Sequence, residues 1–370
     1  MLLTFGLKLI YFVSAQIPFQ QGQKKDALQN YYDFCGKFDG AWYQSIAENG
    51  YPAVKEKRDL GYTSKTGVIQ SAWAFFPGYP MLSASIMKLT AMSYPLTALL
   101  LSLVFSFIAV WVLFDFCKLS FQNERMAFWI TLCFFLSPFS YYFSVFYSEA
   151  VFFSFMVLSF NAILRKKYVV LLFYLIPLVL IRPNGIVLLL PLYLFHLEQT
   201  GLLIQYKLRL TSFFNKQNIL RSLSFLPVLL VFVGYLYYQY QKTGYAFAFS
   251  IAQIGWYKKS TFPLFSFFNR SDIGTQFNSI YTLVAMVFAA YHYKKFKLSE
   301  NVLIWLFILL PLCAGTTISM ARYIAIIFPL FIVLYKNVYA YKYKLGFALG
   351  LLVLHLFSLY PWLINHSLAY

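Results

Sequence analysis

Apolar segments separated by short polar stretches make up most of this 370-residue chain. A first apolar segment ends near Phe19, a polar stretch follows over residues 20–80, and apolar runs of about 30–40 residues occupy most of the remainder. A helix needs roughly 20 residues at 1.5 Å per residue to cross a bilayer once. Each long run is therefore expected to cross twice, as a helical hairpin. The pattern predicts an all-α integral membrane protein.

The boundaries of these helices can also be predicted. Four segments stand outside the hairpins: a retained first helix within Met1 to Phe19, an amphipathic interfacial helix from Met81 to Ser93, a span from Pro95 to Phe116 and a last span from Leu345 to Ile364. The four hairpins are expected to turn near Ser137-Pro138, at Arg182 to Gly185, in a longer loop over residues 241–276, and at Ser319 to Tyr323. We predict about 11 crossings and one polytopic domain over residues 1–370, with a large first outer loop (residues 20–93) that carries interfacial helices.

Composition supports this assignment. Hydrophobic residues make up 61% of the chain and charged residues 11%, whereas a soluble domain has about 25% charged residues. The net charge of +18 would suggest nucleic acid binding in a soluble protein, but basic residues in short loops also orient membrane helices. Five basic clusters alternate with the hairpin tips, so the positive-inside rule assigns the clusters to the cytoplasm and the tips to the other side. The clusters, which we call the basic loops, are Lys118/Arg125, Arg165-Lys166-Lys167, Lys207/Arg209/Lys216/Arg221, Lys294/Lys295/Lys297 and Lys336/Lys342/Lys344. We expect no nucleic acid partner and no disulfide framework.

Several hairpin arms have only about 14 residues, or roughly 21 Å, which is less than the 30 Å of a hydrocarbon core. The tips are therefore expected to lie below the outer headgroup plane. Charges at such depth are costly without a partner. Glu149 is predicted to pair with Arg182 or Arg322, to orient substrate hydroxyls, or to do both. An anionic partner for Arg182 and Arg322 could be the phosphate of a membrane-embedded lipid, and otherwise these arginines anchor the membrane interface.

Five blocks of this sequence resemble the PIG-V family, the lipid-sugar-dependent mannosyltransferases that add the second mannose to glycosylphosphatidylinositol precursors, with their bacterial relatives. The blocks are Phe38-Asp39-Gly40-Ala41-Trp42-Tyr43 with Ile46 to Tyr51, then Ala74 to Pro80, Ser137 to Ala150 with its Tyr147-Ser148-Glu149, Arg182-Pro183-Asn184-Gly185, and Arg322-Tyr323 before Pro329. Pro183 departs from the family pattern, which has serine there. The resemblance implies a GT-C type bundle of transmembrane helices, with its active site on the non-cytoplasmic side.

The resemblance also implies roles for individual residues. Asp39 matches the catalytic carboxylate of the first outer loop, although an aspartate before a helix also suits an N-cap. Asp33 and Glu48 are its nearby competitors, and Glu48, nine residues on, is expected near the same helix face. The expected substrate-binding residues are Glu48, Phe76, Tyr79, Glu149, Arg182, Asn184, Arg322 and Tyr323. Lys258, Lys259 and Arg270 in the third outer loop (residues 241–276) could assist the arginines in binding a phosphate, although nothing in the sequence there is specific.

The implied reaction is the inverting transfer of a mannose, or a similar hexose, from a polyprenyl-phosphate sugar to an acceptor hydroxyl. The acceptor would be a glycolipid, a glycan or a protein. No Asp-x-Asp motif and no metal-ligand spacing of histidines is present in the sequence, so metal independence is expected, without any cofactor. Short loops favour a bacterial cytoplasmic membrane, with the endoplasmic reticulum as the alternative.

Two other functions remain open from the sequence. A transporter or flippase of a lipid-linked sugar would also place arginines in broken hairpins at membrane depth. It should, however, show inverted repeats and coupling residues near the midplane, whereas this chain concentrates charge in one outer loop. A non-catalytic partner in a glycosylation complex is the third possibility.

Overall fold

The computed structural model describes residues 2–17, 26–64, 67–204, 207–208, 215–268 and 272–364, and within these ranges the chain is mostly helical. Residues 18–25, where the first outer loop was predicted to begin, and Arg270 lie outside the described residues. The helices are α1 Leu2–Ser14, α2 Ala27–Cys35, α3 Asp39–Asn49, α4 Lys57–Leu60, α5 Gly78–Thr90, α6 Tyr94–Phe121, α7 Glu124–Leu136, α8 Glu149–Leu164, α9 Tyr168–Ile181, α10 Asn184–Val187, α11 Leu189–Gln199, α12 Lys216–Leu223, α13 Leu226–Thr243, α14 Ala248–Ala252, α15 Ile273–Tyr291, α16 Leu298–Leu312, α17 Met320–Ala325, α18 Phe328–Tyr339 and α19 Lys344–Leu363.

Two short antiparallel hairpins, which the sequence did not predict, accompany the helices. Strand β1 (Tyr62–Ser64) pairs with β2 (Gly67–Ile69), and β3 (Leu203–Ile204) pairs with β4 (Lys207–Leu208). Short 3₁₀ helices form at Ala72–Ala74, Ser140–Phe143, Gln253–Trp256, Pro263–Phe268 and Tyr293–Lys295. Strands β1 and β2 and three of the 3₁₀ segments (Ala72–Ala74, Gln253–Trp256 and Pro263–Phe268) lie in the predicted outer loops.

Helices of two length classes are apolar enough for the membrane. Among the described residues, four are long enough to cross a bilayer, and five further apolar helices have 10–17 residues. The long ones are Tyr94–Phe121, Lys216–Thr243 (α12 and α13 taken together), Ile273–Tyr291 and Lys344–Leu363. The chain is thus a multi-helix membrane protein, and the number of 11 crossings stays a prediction.

Two helix breaks fall where hairpin tips were predicted, since helix α7 ends at Leu136 and α9 ends at Ile181. The fourth tip was predicted at Ser319 to Tyr323, but Met320 to Tyr323 belong to helix α17, and the break between α16 and α17 lies at residues 313–319. The predicted interfacial helix from Met81 to Ser93 is helix α5, which begins three residues earlier because Gly78, Tyr79 and Pro80 form its first turn.

Polar contacts beside the predicted basic loops join the helices at one end of the bundle. The guanidinium of Arg165, which follows α8, binds both carboxylate oxygens of Asp115 in α6 at 2.6 Å. At the same end Lys118 pairs with Glu124, and Glu198 accepts hydrogen bonds from both the backbone N–H and the hydroxyl of Ser299. Each of these pairs joins helices that meet at a predicted basic loop. That this end faces the cytoplasm stays a prediction.

Close backbone packing fixes the turn between helices α9 and α10. A Cβ added to Gly78 would lie 2.8 Å from the backbone of Leu180, and one added to Gly185 would lie 2.1 Å from the carbonyl oxygen of Leu178. Since real Cβ atoms do not approach other atoms so closely, only glycine permits this packing at both positions. Arg182 lies within the turn that these contacts hold.

Replacing Gly185 with alanine is therefore expected to destabilise the protein. Overpacking of a filled interior costs about 1–3 kcal/mol, so the Gly185→Ala variant should melt at a lower temperature in detergent than the wild type. Gly346→Ala is the matched control, because a Cβ on Gly346 in helix α19 would meet nothing within 4 Å. Equal melting temperatures for the two variants would contradict the tight packing of this turn.

Candidate active site

Four of the charged residues that the sequence identified form one chain of ion pairs. The Nη1 atom of Arg322 lies 2.7 Å from Oδ2 of Asp39, and its Nε atom lies 2.7 Å from Oε1 of Glu149. Nη1 of Arg182 approaches the same Glu149 oxygen at 2.9 Å. These residues, which we call the ion cluster, alternate in sign in the order Asp39, Arg322, Glu149 and Arg182. They come from four elements that are distant in sequence.

The dipoles of the helix ends help to stabilise these charges in a buried site. Asp39 and Glu149 are the first residues of α3 and α8, where the helix dipole favours negative charge. Arg182 is the C-terminal cap of α9, and Arg322 lies in the last turn of α17, where the dipole favours positive charge. Each charge thus has a favourable helix end as well as its ion partners.

Strained backbone precedes two of the four positions. Phe38, directly before Asp39, has φ 51° and ψ −113°, and Ser319, directly before helix α17, has φ 65°. Residues with a side chain rarely adopt positive φ, at a cost on the order of 1–3 kcal/mol each. Contacts hold the first of them: the ring of Phe38 packs on Trp362 at 5.4 Å, and the backbone N–H of Asp39 donates to the hydroxyl of Tyr147 at 3.2 Å. Such strain is typical of functional sites.

The ion cluster is buried except at Asp39. The side chains of Glu149, Arg182 and Arg322 are 1%, 8% and 9% exposed, whereas that of Asp39 is 21% exposed. Asp39 is thus the member that a substrate can reach most easily. Only one of its oxygens, Oδ2, accepts a hydrogen bond from Arg322, and no hydrogen bond to Oδ1 is present among the described residues.

Glu149 is held by charge more than by aligned hydrogen bonds. Its contacts with both arginines are short, yet neither has hydrogen-bond geometry, and within the described ranges Oε2 of Glu149 has no hydrogen-bond partner. The sequence had left open whether Arg182 and Arg322 pair with Glu149 or with the phosphate of a lipid. The structure shows that both arginines have a protein carboxylate as partner.

Tyrosines surround the arginines. The guanidinium of Arg322 lies 5.0 Å from the ring centre of Tyr147, 5.9 Å from that of Tyr142 and 5.7 Å from that of Tyr323. Arg182 lies 5.9 Å from the ring of Tyr323. Cation–π attraction of this kind is stronger where water is excluded. Sequence reasoning did not assign a role to Tyr142, and the signal that could have found it is the density of tyrosines between Ser140 and Glu149.

An aromatic group lies beside Asp39. Trp42, one turn further along α3, stacks on Phe75 with ring centres 5.9 Å apart, and the ring of Trp256 from the third outer loop meets both, at 5.7 and 5.6 Å. All three side chains are partly exposed. Two outer loops that are distant in sequence therefore share one wall next to the reachable carboxylate.

Glu48 lies away from the ion cluster. The expectation that it shares a helix face with Asp39 is wrong, because nine residues at about 100° each end half a turn out of phase. Its side chain is exposed, and among the described residues its hydrogen-bond partner is Gln44 at 2.9 Å. Asp39 also does not cap α3 through its side chain, since it is the first residue of that helix and Phe38 occupies the capping position.

The remaining predicted substrate-binding residues form two groups, one buried and one partly exposed. Phe76 and Tyr79 are 2% and 1% exposed and pack behind the site, Phe76 against Tyr235 at 4.9 Å and Tyr79 against Tyr43 at 4.9 Å. The hydroxyl of Tyr43 in turn lies 3.0 Å from that of Ser148, the neighbour of Glu149. Contact between Phe76 or Tyr79 and a substrate stays a prediction.

Asn184 and Tyr323 are partly exposed. Asn184 begins α10, two residues after Arg182, and Tyr323 follows Arg322 in α17. The positive charge of Lys258 lowers the pKa of Tyr323, and although burial opposes this effect, Arg322 and Arg182 reinforce it. Of the charges that act on this phenol, Lys258 has the largest effect, so the third outer loop contributes to the electrostatics of the site.

No group of three or more histidine, cysteine, aspartate or glutamate side chains that could hold a metal ion is present in the part of the chain that the structure describes. Both carboxylates of the ion cluster are paired with arginines. Metal independence stays a prediction.

Comparisons with known proteins identify the fold. No protein family and no curated protein matches the sequence. The structure is similar to the crystal structure of the oligosaccharyltransferase from Archaeoglobus fulgidus, determined in complex with zinc and sulfate, with a TM-score of 0.50 and 13% sequence identity. The similarity covers 99% of this chain and 53% of that chain, so this chain spans about half the length of its neighbour. At this identity the likeness shows the fold alone, which this chain shares with a GT-C type oligosaccharyltransferase.

Proposed function

We propose that the protein is an inverting glycosyltransferase that moves a mannose, or a similar hexose, from a polyprenyl-phosphate sugar to an acceptor hydroxyl on the non-cytoplasmic face of a membrane. The acceptor would be a glycolipid, a glycan or a protein. A bacterial cytoplasmic membrane fits the compact loops best, and the endoplasmic reticulum is the alternative. Membership of the PIG-V family is part of this proposal.

The observation that carries the proposal is the asymmetry of the ion cluster. Asp39 is its exposed carboxylate, with Oδ2 fixed by Arg322 at 2.7 Å and Oδ1 left for a substrate. A general base needs this combination of a fixed orientation and room for the proton that it accepts. The other three members are buried and hold Asp39 in place.

The chemistry then proceeds in one displacement. Asp39 accepts the proton of the acceptor hydroxyl while the hydroxyl oxygen attacks the anomeric carbon of the donor sugar. The bond between that carbon and the phosphate oxygen breaks, and polyprenyl phosphate leaves with the bonding electron pair. Because attack comes from the face opposite the phosphate, the configuration at the anomeric carbon inverts. Cations beside the phosphate stabilise the charge that develops on it.

We further propose that cationic side chains of the protein, and not a metal ion, offset the charge of the donor phosphate. Both carboxylates of the ion cluster are neutralised by arginines, whereas a hard cation such as Mg²⁺ prefers carboxylate oxygens that are free to coordinate it. Transfer should accordingly persist in excess EDTA. Loss of transfer in EDTA with recovery on adding Mg²⁺ or Mn²⁺ would contradict this part of the proposal.

The proposed function can be tested with the purified protein and radiolabelled donors. Polyprenyl-phosphate mannose, glucose and galactose, together with GDP-mannose and UDP-glucose, are supplied in parallel with a lipid extract of the host as acceptor. We expect label to enter the acceptor from a polyprenyl-phosphate sugar and from neither nucleotide sugar. Transfer from a nucleotide sugar alone would exclude the lipid-linked donor. Movement of the intact donor across a proteoliposome membrane without transfer would support a flippase instead.

A further inference from the structure

Helix α15 carries a stripe of buried polar side chains. Within this largely apolar helix, four polar residues recur at the spacing i, i+3, i+4 and i+7, which places them on one face. They are Thr275, Asn278, Ser279 and Thr282, and each is 5% exposed or less. Buried polar groups cost free energy unless they are hydrogen-bonded, so this face is expected to meet polar partners inside the protein.

The hydroxyl of Thr317 joins this stripe to the segment that leads into Arg322. It donates to the carbonyl of Thr275 at 2.8 Å and lies 3.0 Å from the hydroxyl of Ser279. The side chain of Thr317 is fully buried, and Ser319, two residues on, has the positive φ described above. The hydroxyl therefore holds the chain immediately before the strained residue at the start of α17.

Asn278 caps helix α17 from outside. Its side-chain oxygen accepts the backbone N–H of Ala321 at 2.8 Å, and its amide nitrogen donates to the carbonyl of Gly274 at 3.0 Å. The first N–H groups of a helix have no partner within the helix, and the side chain of Ser319, at the capping position, does not supply one. With six residues, α17 is too short to be stable by itself. Its position therefore depends on tertiary contacts such as the one with Asn278.

The capped turn carries the arginine that holds Asp39. Arg322 directly follows Ala321, and its Nη1 atom donates to Oδ2 of Asp39 at 2.7 Å. Among the described residues Arg322 is the hydrogen-bond partner of that carboxylate, so the orientation of the carboxylate follows that of the arginine. Small displacements matter at such a place, because a misplacement of about 1 Å can lower a rate by about 100-fold.

We infer that Thr317 and Asn278 are positioning residues of the transfer reaction: through the start of α17 they hold Arg322, and through Arg322 they orient Asp39. This inference rests on the proposed function, because it takes Asp39 as the base. It also gives the polar stripe of α15 a role. Polar side chains that only satisfied one another could be replaced by apolar ones of the same shape at little cost.

Steady-state kinetics of the purified full-length chain test the inference with isosteric changes. Thr317→Val removes the hydroxyl and keeps the shape. Thr282→Val is the matched control, because the Thr282 hydroxyl is equally buried but donates to the carbonyl of Asn278 within its own helix, at 2.6 Å. We expect Thr317→Val and Asn278→Ala to lower kcat by about 10- to 100-fold, with KM within a few-fold of the wild type. Thr317→Ser, which restores the hydroxyl, should recover most of kcat, and Thr282→Val should equal the wild type.

The reactivity of Asp39 gives a second readout that needs no transfer. A carbodiimide activates carboxyl groups in their protonated form, whereas a guanidinium partner favours the ionised form. Modification with a carbodiimide and glycine ethyl ester is measured by peptide mass spectrometry, as the ratio of Asp39 to the exposed Asp33 in the same sample. We expect the ratio to rise several-fold in Thr317→Val and Asn278→Ala, and to stay at the wild-type value in Thr317→Ser and Thr282→Val.

The two readouts separate the possible results. An unchanged Asp39 reactivity in both Thr317→Val and Asn278→Ala would overturn the positioning role and leave the proposed function standing, and any fall in kcat would then reflect a loss of stability. A fall in kcat that Thr317→Ser did not recover would overturn the assignment of Thr317, because the site would not depend on its hydroxyl. If the wild type transferred no sugar, the proposed function would fail, and the reactivity of Asp39 would still decide whether the two residues orient it.

Discussion

Replacing Asp39 with asparagine is expected to abolish sugar transfer while leaving the protein folded. Asparagine has nearly the shape of aspartate but cannot accept the proton of an acceptor hydroxyl, and loss of a general base lowers rates by about 10²- to 10⁴-fold. The fold should survive because Arg322 keeps Glu149 as its second partner, at 2.7 Å. The expected result is therefore a fall in kcat of that size, a KM for the donor within a few-fold of the wild type, and an unchanged elution profile in gel filtration.

The matched control is Asp33→Asn. Asp33 lies six residues upstream in α2, and its exposed carboxylate accepts a hydrogen bond from Gln29 at 2.8 Å. The two variants make the same chemical change in the same outer loop, so only a residue in the site should affect kcat. If Asp39→Asn transferred sugar at the rate of Asp33→Asn, Asp39 would not be the base, and Glu149 would become the carboxylate to test.

Much of the ion cluster could be predicted from the sequence because charges are conspicuous in apolar segments. Glu149 is the one charged residue between Ala127 and Leu164, and the cost of a lone charge at membrane depth made a pairing with Arg182 or Arg322 a reasonable prediction. The structure shows both pairings at once. The hairpin tips could be predicted for a similar reason, since a run too long for one crossing and too short for three must turn near its middle.

The sequence could not show what brings the outer loops together. Lys258 carried no specific signal because its neighbours in sequence do not reveal that Gly255 packs against the backbone of Ile69 and that the backbone N–H of Lys259 donates to the carbonyl of Ala314. The bond to Ala314 is made by backbone atoms, which every residue has, so side-chain identity does not encode it. Glu48 is the opposite case, in which proximity in sequence suggested a shared helix face that helical geometry excludes.

Buried ion pairs of this kind position a site more than they stabilise a fold. Bringing charges out of water is costly, and the attraction between them repays that cost only when each has its partners. In this protein one carboxylate serves two arginines, and Oε2 of Glu149 has no hydrogen-bond partner among the described residues. We therefore expect the three buried members of the ion cluster to be intolerant of single changes.

Glu149→Ala is the variant that should destabilise the protein most. It leaves Arg182 without its ion partner and Arg322 with Asp39 alone, and removing one member of a buried pair costs about 3–5 kcal/mol. We expect a clear fall in the melting temperature in detergent, together with loss of transfer because Arg322 no longer holds Asp39 in one orientation. Glu124→Gln removes an exposed glutamate from the other end of the bundle, where it pairs with Lys118, and should melt close to the wild type.

A double variant separates the loss of the pair from damage to the fold. If the cost of Glu149→Ala comes from uncompensated arginine charge, the double variant Glu149→Met with Arg182→Met should melt at a higher temperature than Glu149→Met alone, since apolar side chains often replace a buried pair at little cost. It should still lack activity, because Arg322 has lost its second carboxylate. Additive losses in the double variant would show that Glu149 and Arg182 contribute independently, and would contradict the idea that the four charges act as one unit.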